Sequence, residues 1–151
     1  MYYFKPTLDS EYDEIFQLMK TNMYEIQNEI GIEWNQRELE NNYRDKTNYS
    51  VYRRDEFVGF VSLEFFQKYL FIHTLQIVPQ YQNRRIGYRV FKFIIELAKE
   101  KKAKLLRCSV FENNTAIKMY LALGFREIDR INRVIQMELN LASVNLPNLE
   151  T

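Results

Sequence analysis

Two short segments of this chain contain residues whose types and spacing could support chemistry. The first is a polar, basic turn between an apolar strand pattern and an amphipathic helix pattern, with the sequence Pro79-Gln80-Tyr81-Gln82-Asn83-Arg84-Arg85-Ile86-Gly87-Tyr88. At such a turn the free N–H groups of the first helical turn, the positive end of the helix dipole and two arginines converge. The segment therefore predicts a site for a phosphate-bearing ligand. An ordinary solvated helix start is the competing interpretation of the local pattern.

The second segment follows another predicted strand and opens a short helix, with the sequence Val110-Phe111-Glu112-Asn113-Asn114-Thr115-Ala116-Ile117-Lys118-Met119-Tyr120. Asn113 can reach a ligand amide, or Asn113 or Asn114 can simply cap the helix. Tyr120 lies about two turns into that helix. Its phenol can donate a proton to a leaving group, or its ring can simply pack.

Together the segments contain Gln82-x-x-x-x-Gly87 and, about 25 residues further on, Asn113-x-x-Ala116-x-x-x-Tyr120-x-x-x-Gly124-Phe125. In this order they resemble the GNAT superfamily of acyl-CoA N-acyltransferases, over residues 50 to 130 and, through the predicted element order, over nearly the whole chain. Gln82 and Gly87 match the family's pyrophosphate loop, but Arg85 stands where its first glycine is usual. Glycine permits unusual dihedral angles there, whereas arginine fits where its φ is negative.

The resemblance implies a co-substrate, acetyl-CoA, and a direct attack of an acceptor amine on its thioester. Pantetheine would bond to backbone near Ile77 and Val78, an N–H near Ile77 would polarise the thioester carbonyl, Tyr120 would be the general acid, and no metal would take part. The residues assigned to acetyl-CoA are Ile77, Val78, Gln82, Asn83, Arg84, Arg85, Ile86, Gly87, Tyr88 and Asn113.

The general base is open among three residues, Glu64, Glu33 and His73. His73 is the single histidine, and a polar residue on a strand face is its competing interpretation. Glu33 and Trp34 lie where the family builds its acceptor pocket, between the first two helices. Cys108 alternates with apolar neighbours along its strand and is predicted to be a small buried residue.

The elements that would position these residues follow from sparse glycine and proline punctuation and from apolar periodicity. A first helix is predicted to begin at a cap at Asp9 or Ser10 and to end at Gly31, and the last two strands are predicted at 125–128 and 131–141. The full order is strand, helix, helix, three strands, helix, strand, helix, two strands. It indicates an α/β (α+β) protein. The resemblance specifies a GNAT fold: a central mixed, mostly antiparallel sheet of about six or seven strands, splayed in the middle, with helices on both faces. Residues 1–141 form the single predicted domain and residues 142–151 a mobile tail.

Net charge, cysteine content and the length of apolar runs argue against several classes of protein. The formal net charge of +1 and the pI of about 7.8 do not favour non-specific nucleic-acid binding. One cysteine in 151 residues excludes an internal disulfide framework and supplies no metal-ligand cluster. There is no membrane-spanning apolar run, and the first residues lack the basic-then-apolar order of a signal peptide. We therefore expect a cytoplasmic protein without membrane contact. The aromatic content and the last strands are compatible with a homodimer.

The sequence thus predicts an N-acetyltransferase that uses acetyl-CoA. A non-catalytic GNAT-fold protein that binds acyl-CoA, as a sensor or a partner module, is the first alternative. An interaction protein that binds no CoA is the second. The acceptor stays open among polyamines, amino acids, antibiotics and protein amines, because a near-neutral charge gives no indication of it.

Overall fold

The computed structural model describes residues 1–147 as one sheet with helices packed on it. The strands are β1 (Tyr2–Pro6), β2 (Thr47–Arg53), β3 (Glu56–Phe65), β4 (Tyr69–Ile77), β5 (Leu105–Phe111), β6 (Arg126–Ile131) and β7 (Val134–Asn140). The helices are α1 (Tyr12–Glu29), α2 (Gln36–Tyr43), α3 (Ile86–Glu100) and α4 (Ile117–Leu123).

The seven-stranded sheet has the order β1-β2-β3-β4-β5-β7-β6. Among the strands of residues 1–147, β4 and β5 form the one parallel pair, joined by the crossover helix α3. Their pairing covers only Tyr69–Ile72 against Leu105–Cys108, although β4 continues to Ile77 and β5 to Phe111. The predicted mixed sheet with a splay in the middle is confirmed.

Helices cover both faces of the sheet, as predicted. Adjacent residues of β3 show this, because successive side chains of a strand point to opposite faces. Phe60 belongs to a core cluster with Ile15 and Phe16 of α1. Val61 belongs to the larger cluster that contains Phe91 and other apolar residues of α3.

The start of α1 differs from the predicted cap. Asp9 and Ser10 lie in a 3-10 turn, and the α-helix begins only at Tyr12. Glu11 is the reason, since its carboxylate accepts a bond from the Leu8 N–H (2.8 Å) and ties the turn to Ser50 of β2 (3.2 Å). The end of α1 is as predicted: Gly31 follows it with φ +78°, a conformation that glycine adopts without a side-chain clash.

The C-terminal boundaries also shift. Ile131 ends β6 rather than starting the last strand, because Asn132 and Arg133 form the turn with φ values of 49° and 68°. After β7, Val144 and Leu146 pack against the larger core cluster, and the Asn145 N–H donates to the Leu123 carbonyl (2.8 Å). Residues 148–151 of the predicted tail lie outside the described residues, and the mobility of the tail stays a prediction.

Two further features bear on the predicted class. None of the helices in residues 1–147 combines the length and the apolar character that crossing a bilayer requires. In the same residues, no group of three or more histidine, cysteine or acidic side chains is placed to hold a metal ion.

Candidate active site

The splay between β4 and β5 exposes backbone groups of β4. Gly59 pairs with Ile77, and the Val78 N–H donates to the Val58 carbonyl (2.9 Å). In an antiparallel ladder this arrangement turns the N–H and C=O of Ile77 away from β3, towards the gap. An extended ligand with amide groups can add to such an edge as a further strand. The Ile77 N–H therefore faces the gap, while the Ile77 carbonyl accepts from Asn22 (2.9 Å) and Gln82 (3.0 Å) and the Val78 N–H is used inside the sheet. A contact of Ile77 or Val78 with acetyl-CoA stays a prediction.

The loop after β4 leads to an unprotected helix start. Gln82 follows a 3-10 turn, and α3 begins at Ile86 without any capping side-chain bond from the described part of the chain. The N–H groups of its first turn are thus available to an anion, with the helix dipole behind them.

The backbone at Arg85 does not have the negative φ at which an arginine fits without strain. Arg85 has φ +62° and ψ +16°, the left-handed conformation that glycine would adopt most readily. The fold therefore holds an arginine in a conformation that favours glycine, at a conformational cost. Asn83 is also left-handed, with φ +63°, and asparagine tolerates this region better than most residues.

The gap opens into a cavity of about 1190 Å³ between the sheet, the loop, α1, α2 and α4. Gln82, Asn83, Arg85, Ile86, Gly87 and Tyr88 line it. Arg84 lies outside the lining, with its guanidinium 5.6 Å from the centre of the Tyr81 ring. At Gly87 the wall is tight, because an added Cβ would lie 2.7 Å from the Met119 sulfur of α4.

Tyr120 lines the same cavity from α4 and is buried. Its ring packs edge-on against Phe91 (centroids 5.7 Å apart) and at a tilt against Phe125 (centroids 5.4 Å apart). Burial, and secondarily the nearby Cys108, raises the pKa of the Tyr120 phenol well above its usual value of 10. The phenol is therefore protonated at neutral pH. Cys108, buried as predicted, also lines the cavity, and burial raises the pKa of its thiol to about 12.

Two of the three candidate bases meet on adjacent strands. His73 of β4 lines the cavity, and its Nε2 lies 2.7 Å from Oε1 of Glu64 on β3. If the Nε2–H donates to the carboxylate, Nδ1 remains as the ring nitrogen that can accept a proton. Glu33 is exposed and lies outside the cavity lining.

The side chain of Asn113 faces α1 and not the cavity. Its Nδ2 donates to the Ile26 carbonyl (3.0 Å) and to Glu29 (2.9 Å), while its buried Oδ1 has no partner among the described residues. The neighbouring Asn114 accepts the Ala116 N–H at its Oδ1 (2.9 Å) in the turn before α4. Because Ala116 is the N-cap residue and the helix start has no side-chain cap bond, the predicted cap by Asn113 or Asn114 was wrong. A contact of Asn113 with CoA stays a prediction.

Two lining residues escaped the sequence reasoning. Asn22 of α1 donates from Nδ2 to the Ile77 carbonyl (2.9 Å), and its Oδ1 accepts from Gln82 (3.3 Å), so it joins β4 to the loop. A polar residue within the apolar stripe of α1 was an available signal. Lys118 of α4 adds a positive charge to the cavity wall, but nothing in the sequence distinguishes it from other surface lysines.

The geometry can be compared with that of known proteins. The chain is similar to the ribosomal-protein-S18-alanine N-acetyltransferase from Escherichia coli, with a TM-score of 0.74, 14% identity, and coverage of 100% of this chain and 99% of that one. It is similar to the PaiA N-acetyltransferase from Thermoplasma acidophilum in complex with coenzyme A, with a TM-score of 0.77, 15% identity, and coverage of 93% and 99%. A GNAT family acetyltransferase from Elizabethkingia anophelis with acetyl-CoA bound gives a TM-score of 0.70, 16% identity, and coverage of 92% and 97%.

At these identities, the similarity to the three structures shows a shared fold. No curated protein sequence matches the chain significantly. The family assignment comes from the sequence itself. The family model described as the acetyltransferase (GNAT) family matches residues 12–125, which span most of the chain and include the loop, both candidate bases on β3 and β4, and Tyr120. The chain therefore belongs to the acetyltransferase (GNAT) family.

Proposed function

We propose that the chain is an N-acetyltransferase that moves an acetyl group from acetyl-CoA to a primary amine by direct attack in a ternary complex. One observation carries the proposal: the gap beside Ile77, the uncapped start of α3 and the Tyr120 side chain all adjoin a single cavity. The coenzyme A and acetyl-CoA bound to two of the similar structures support it.

In this proposal the pyrophosphate of acetyl-CoA lies on the N–H groups at the start of α3. Arg85 and Lys118 add positive charge to the same part of the wall. The pantetheine amides continue along β4 at Leu75 and Ile77, as an added strand would. Asn22 and Gln82 both donate to the Ile77 carbonyl (2.9 and 3.0 Å), and so they hold this stretch of β4 against the loop.

The amine nitrogen attacks the thioester carbonyl carbon, and the C–S bond breaks as the C–N bond forms. Binding both substrates in one cavity removes much of the entropic barrier of this step. The Ile77 N–H is the candidate donor to the carbonyl oxygen, on which negative charge develops during the attack.

Tyr120 gives its proton to the departing thiolate. A raised pKa weakens a phenol as an acid, but the same burial makes the acceptor more basic. The thiol of Cys108 shows this effect of burial on a sulfur group. It lies in the wall of the same cavity, and burial raises its pKa to about 12. A thiolate released beside it is destabilised in the same way and accepts the proton.

His73, held by Glu64, takes the proton that the attacking amine loses, directly or through water. Its position in the cavity wall and the 2.7 Å contact with a carboxylate favour this pair over Glu33. The carboxylate stabilises the imidazolium that forms.

Titration with acetyl-CoA, followed by release of free thiol with a panel of primary amines, tests the function. Acetyl-CoA at about 100 times its Kd should stabilise the fold by about 2.7 kcal/mol in thermal unfolding, and at least one amine should drive thiol release. Binding without turnover across the panel would favour the sensor. An unchanged melting temperature would favour an interaction protein that binds no CoA.

A further inference from the structure

The wall of the cavity has an uneven distribution of charge. No aspartate or glutamate lines it among residues 1–147. Its full positive charges, Arg85 and Lys118, come from the loop and α4, where the phosphates of CoA are proposed to bind. Two acidic side chains outside the lining interact with His73 at the other end, and both already have partners: Glu64 is bonded to His73, and Asp45 is paired with Lys46 (3.0 Å).

The end of the cavity away from the loop, here called the acceptor end, is mostly apolar and rich in aromatic rings. It is built by α1, α2 and the start of β4. Tyr43 lies edge-on to the His73 ring, with ring centroids 6.5 Å apart. The Trp34 ring is tilted against the Tyr24 ring, with centroids 6.2 Å apart. Burial raises the pKa of the Tyr43 phenol, as expected in a site with little water. The apolar or aromatic side chains of this end are Met19, Met23, Trp34, Leu39, Tyr43 and Phe71, and the polar side chains of Gln27 and His73 line the cavity from the same elements.

We propose that the acceptor is a primary amine with a single cationic group, attached to an apolar chain or ring that fills this end. The inference rests on the proposed function, because it takes the acceptor end as the place where the amine enters. A monoamine must lose a proton before it attacks, so the group that reaches the thioester carries no charge. The remainder of such a molecule buries apolar surface against apolar side chains.

A polyamine or an aminosugar with more than one ammonium group should bind this end of the cavity less well. A second ammonium group would lose water without gaining a carboxylate partner, and burial of an unpaired charge is unfavourable. A free alkylamine and a peptide N-terminus with an apolar first side chain share the favoured chemistry.

Hexylamine and 1,6-diaminohexane test the inference, because they differ only in the second amine. With acetyl-CoA and the full chain, kcat/KM for thiol release should be at least about tenfold higher for hexylamine, counted per amine. A short Leu-Ala-Ala-amide peptide distinguishes the source: higher kcat/KM for the peptide indicates a peptide acceptor, and lower indicates a small amine. Both results agree with a single cation on an apolar group.

Trp34 is the single tryptophan of the sequence and lines the acceptor end, so its fluorescence reports amine binding independently of turnover. Titration of the protein with each amine, in the presence of CoA, should give at least about tenfold tighter binding for hexylamine. If no amine turns over, the proposed function fails while this titration still ranks the two ligands. Equal or tighter binding of 1,6-diaminohexane would overturn the inference.

A carboxylate added to the acceptor end should reverse the preference. Met23 is half-buried in the lining, and glutamate is of similar length and forms helices well. Met23→Glu should raise the relative affinity for 1,6-diaminohexane by about tenfold, whereas Met23→Gln, the uncharged control, should leave the ratio as in the wild type. An equal ratio in both variants would contradict the electrostatic argument.

Discussion

The loop that starts α3 and the wall around Tyr120 contribute to the same cavity in opposite ways. The loop is exposed, and it offers backbone N–H groups and the charge of Arg85. The wall is buried, and it offers one phenol that Phe91 and Phe125 hold in place. The backbone of the loop accommodates an irregular residue, as Arg85 in its left-handed conformation shows. A site made by one atom in an apolar wall should not tolerate its loss, and four predictions test this contrast.

The largest effect is expected at Tyr120. Tyr120→Phe removes the proton donor and keeps the ring contacts, so kcat should fall by at least about a hundredfold. The Kd for acetyl-CoA and the melting temperature should stay near wild type, because the phenol oxygen has no bond to another described residue. Steady-state kinetics, an acetyl-CoA titration and thermal unfolding check the three parts.

The pH profile adds a second check on Tyr120. Its pKa is raised above 10, so the phenol keeps its proton and wild-type kcat should show no loss from this group between pH 7 and pH 10. If Tyr120→Phe retained wild-type kcat, the thiolate would take its proton from elsewhere and the contrast between loop and wall would fail.

Removing the charge of the Glu64–His73 pair should have the next largest effect. Glu64→Gln can keep a bond to His73 but no longer stabilises the imidazolium, so kcat/KM should fall by about tenfold to a hundredfold. Glu33→Gln is the matched comparison, and it should leave kcat/KM unchanged because Glu33 is exposed and outside the lining. If Glu33→Gln lowered kcat/KM more than Glu64→Gln, Glu33 would replace the Glu64–His73 pair as the candidate base.

A smaller effect with two opposite parts is expected at Arg85. Arg85→Gly should raise the free energy of unfolding by about 1 kcal/mol, because glycine adopts the left-handed conformation without strain. The same change should weaken acetyl-CoA binding several-fold through loss of an exposed charge, by about 1 kcal/mol or less.

Arg85→Lys separates these two parts. It keeps both the charge and the strain, so its affinity for acetyl-CoA should stay close to wild type. Added salt should reduce the difference between the glycine variant and wild type, since it screens the exposed charge. Unchanged affinity in Arg85→Gly would leave Arg85 as a solvated surface residue and assign the whole phosphate contact to the backbone.

The smallest effect concerns how well water is excluded from the wall around Tyr120. The ionisation of the buried Cys108 thiol in the same wall measures it. The folded-state pKa of the thiol is raised from 9.0 to about 12, so the unfolded chain ionises first as pH rises. The stability that the buried neutral thiol contributes is present below pH 9 and is lost as pH rises towards 12.

Cys108→Ala removes this dependence. Between pH 9 and pH 10 the wild type should lose about 1 kcal/mol more stability than the variant in urea unfolding. Parallel losses in the two proteins would mean that water reaches the thiol, and the wall around Tyr120 would then be less apolar than proposed.

Much of the fold could be predicted because it depends on local patterns. The apolar periodicity of the strands and helices, and the glycine that ends α1, determine conformation within a few residues of themselves. The boundaries that were wrong depend on long-range contacts or on unexpected turns. Glu11 forms a 3-10 turn because β2 supplies a partner for its carboxylate, and Asn132 with Arg133 makes a left-handed turn without glycine.

The sequence by itself determined the family, the polar loop that leads into α3 and the position of Tyr120 in the short helix α4. Each of these depends on a continuous motif. Only the tertiary structure decided which candidates meet at the cavity. It pairs Glu64 with His73 across two strands, turns Asn113 towards α1 and joins Asn22 to Gln82. It also brought aromatic side chains of α1, α2 and β4 into the same cavity as the loop. The reason is physical: a strand or helix start follows from neighbouring residues, whereas a contact between distant residues depends on how the sheet and helices pack.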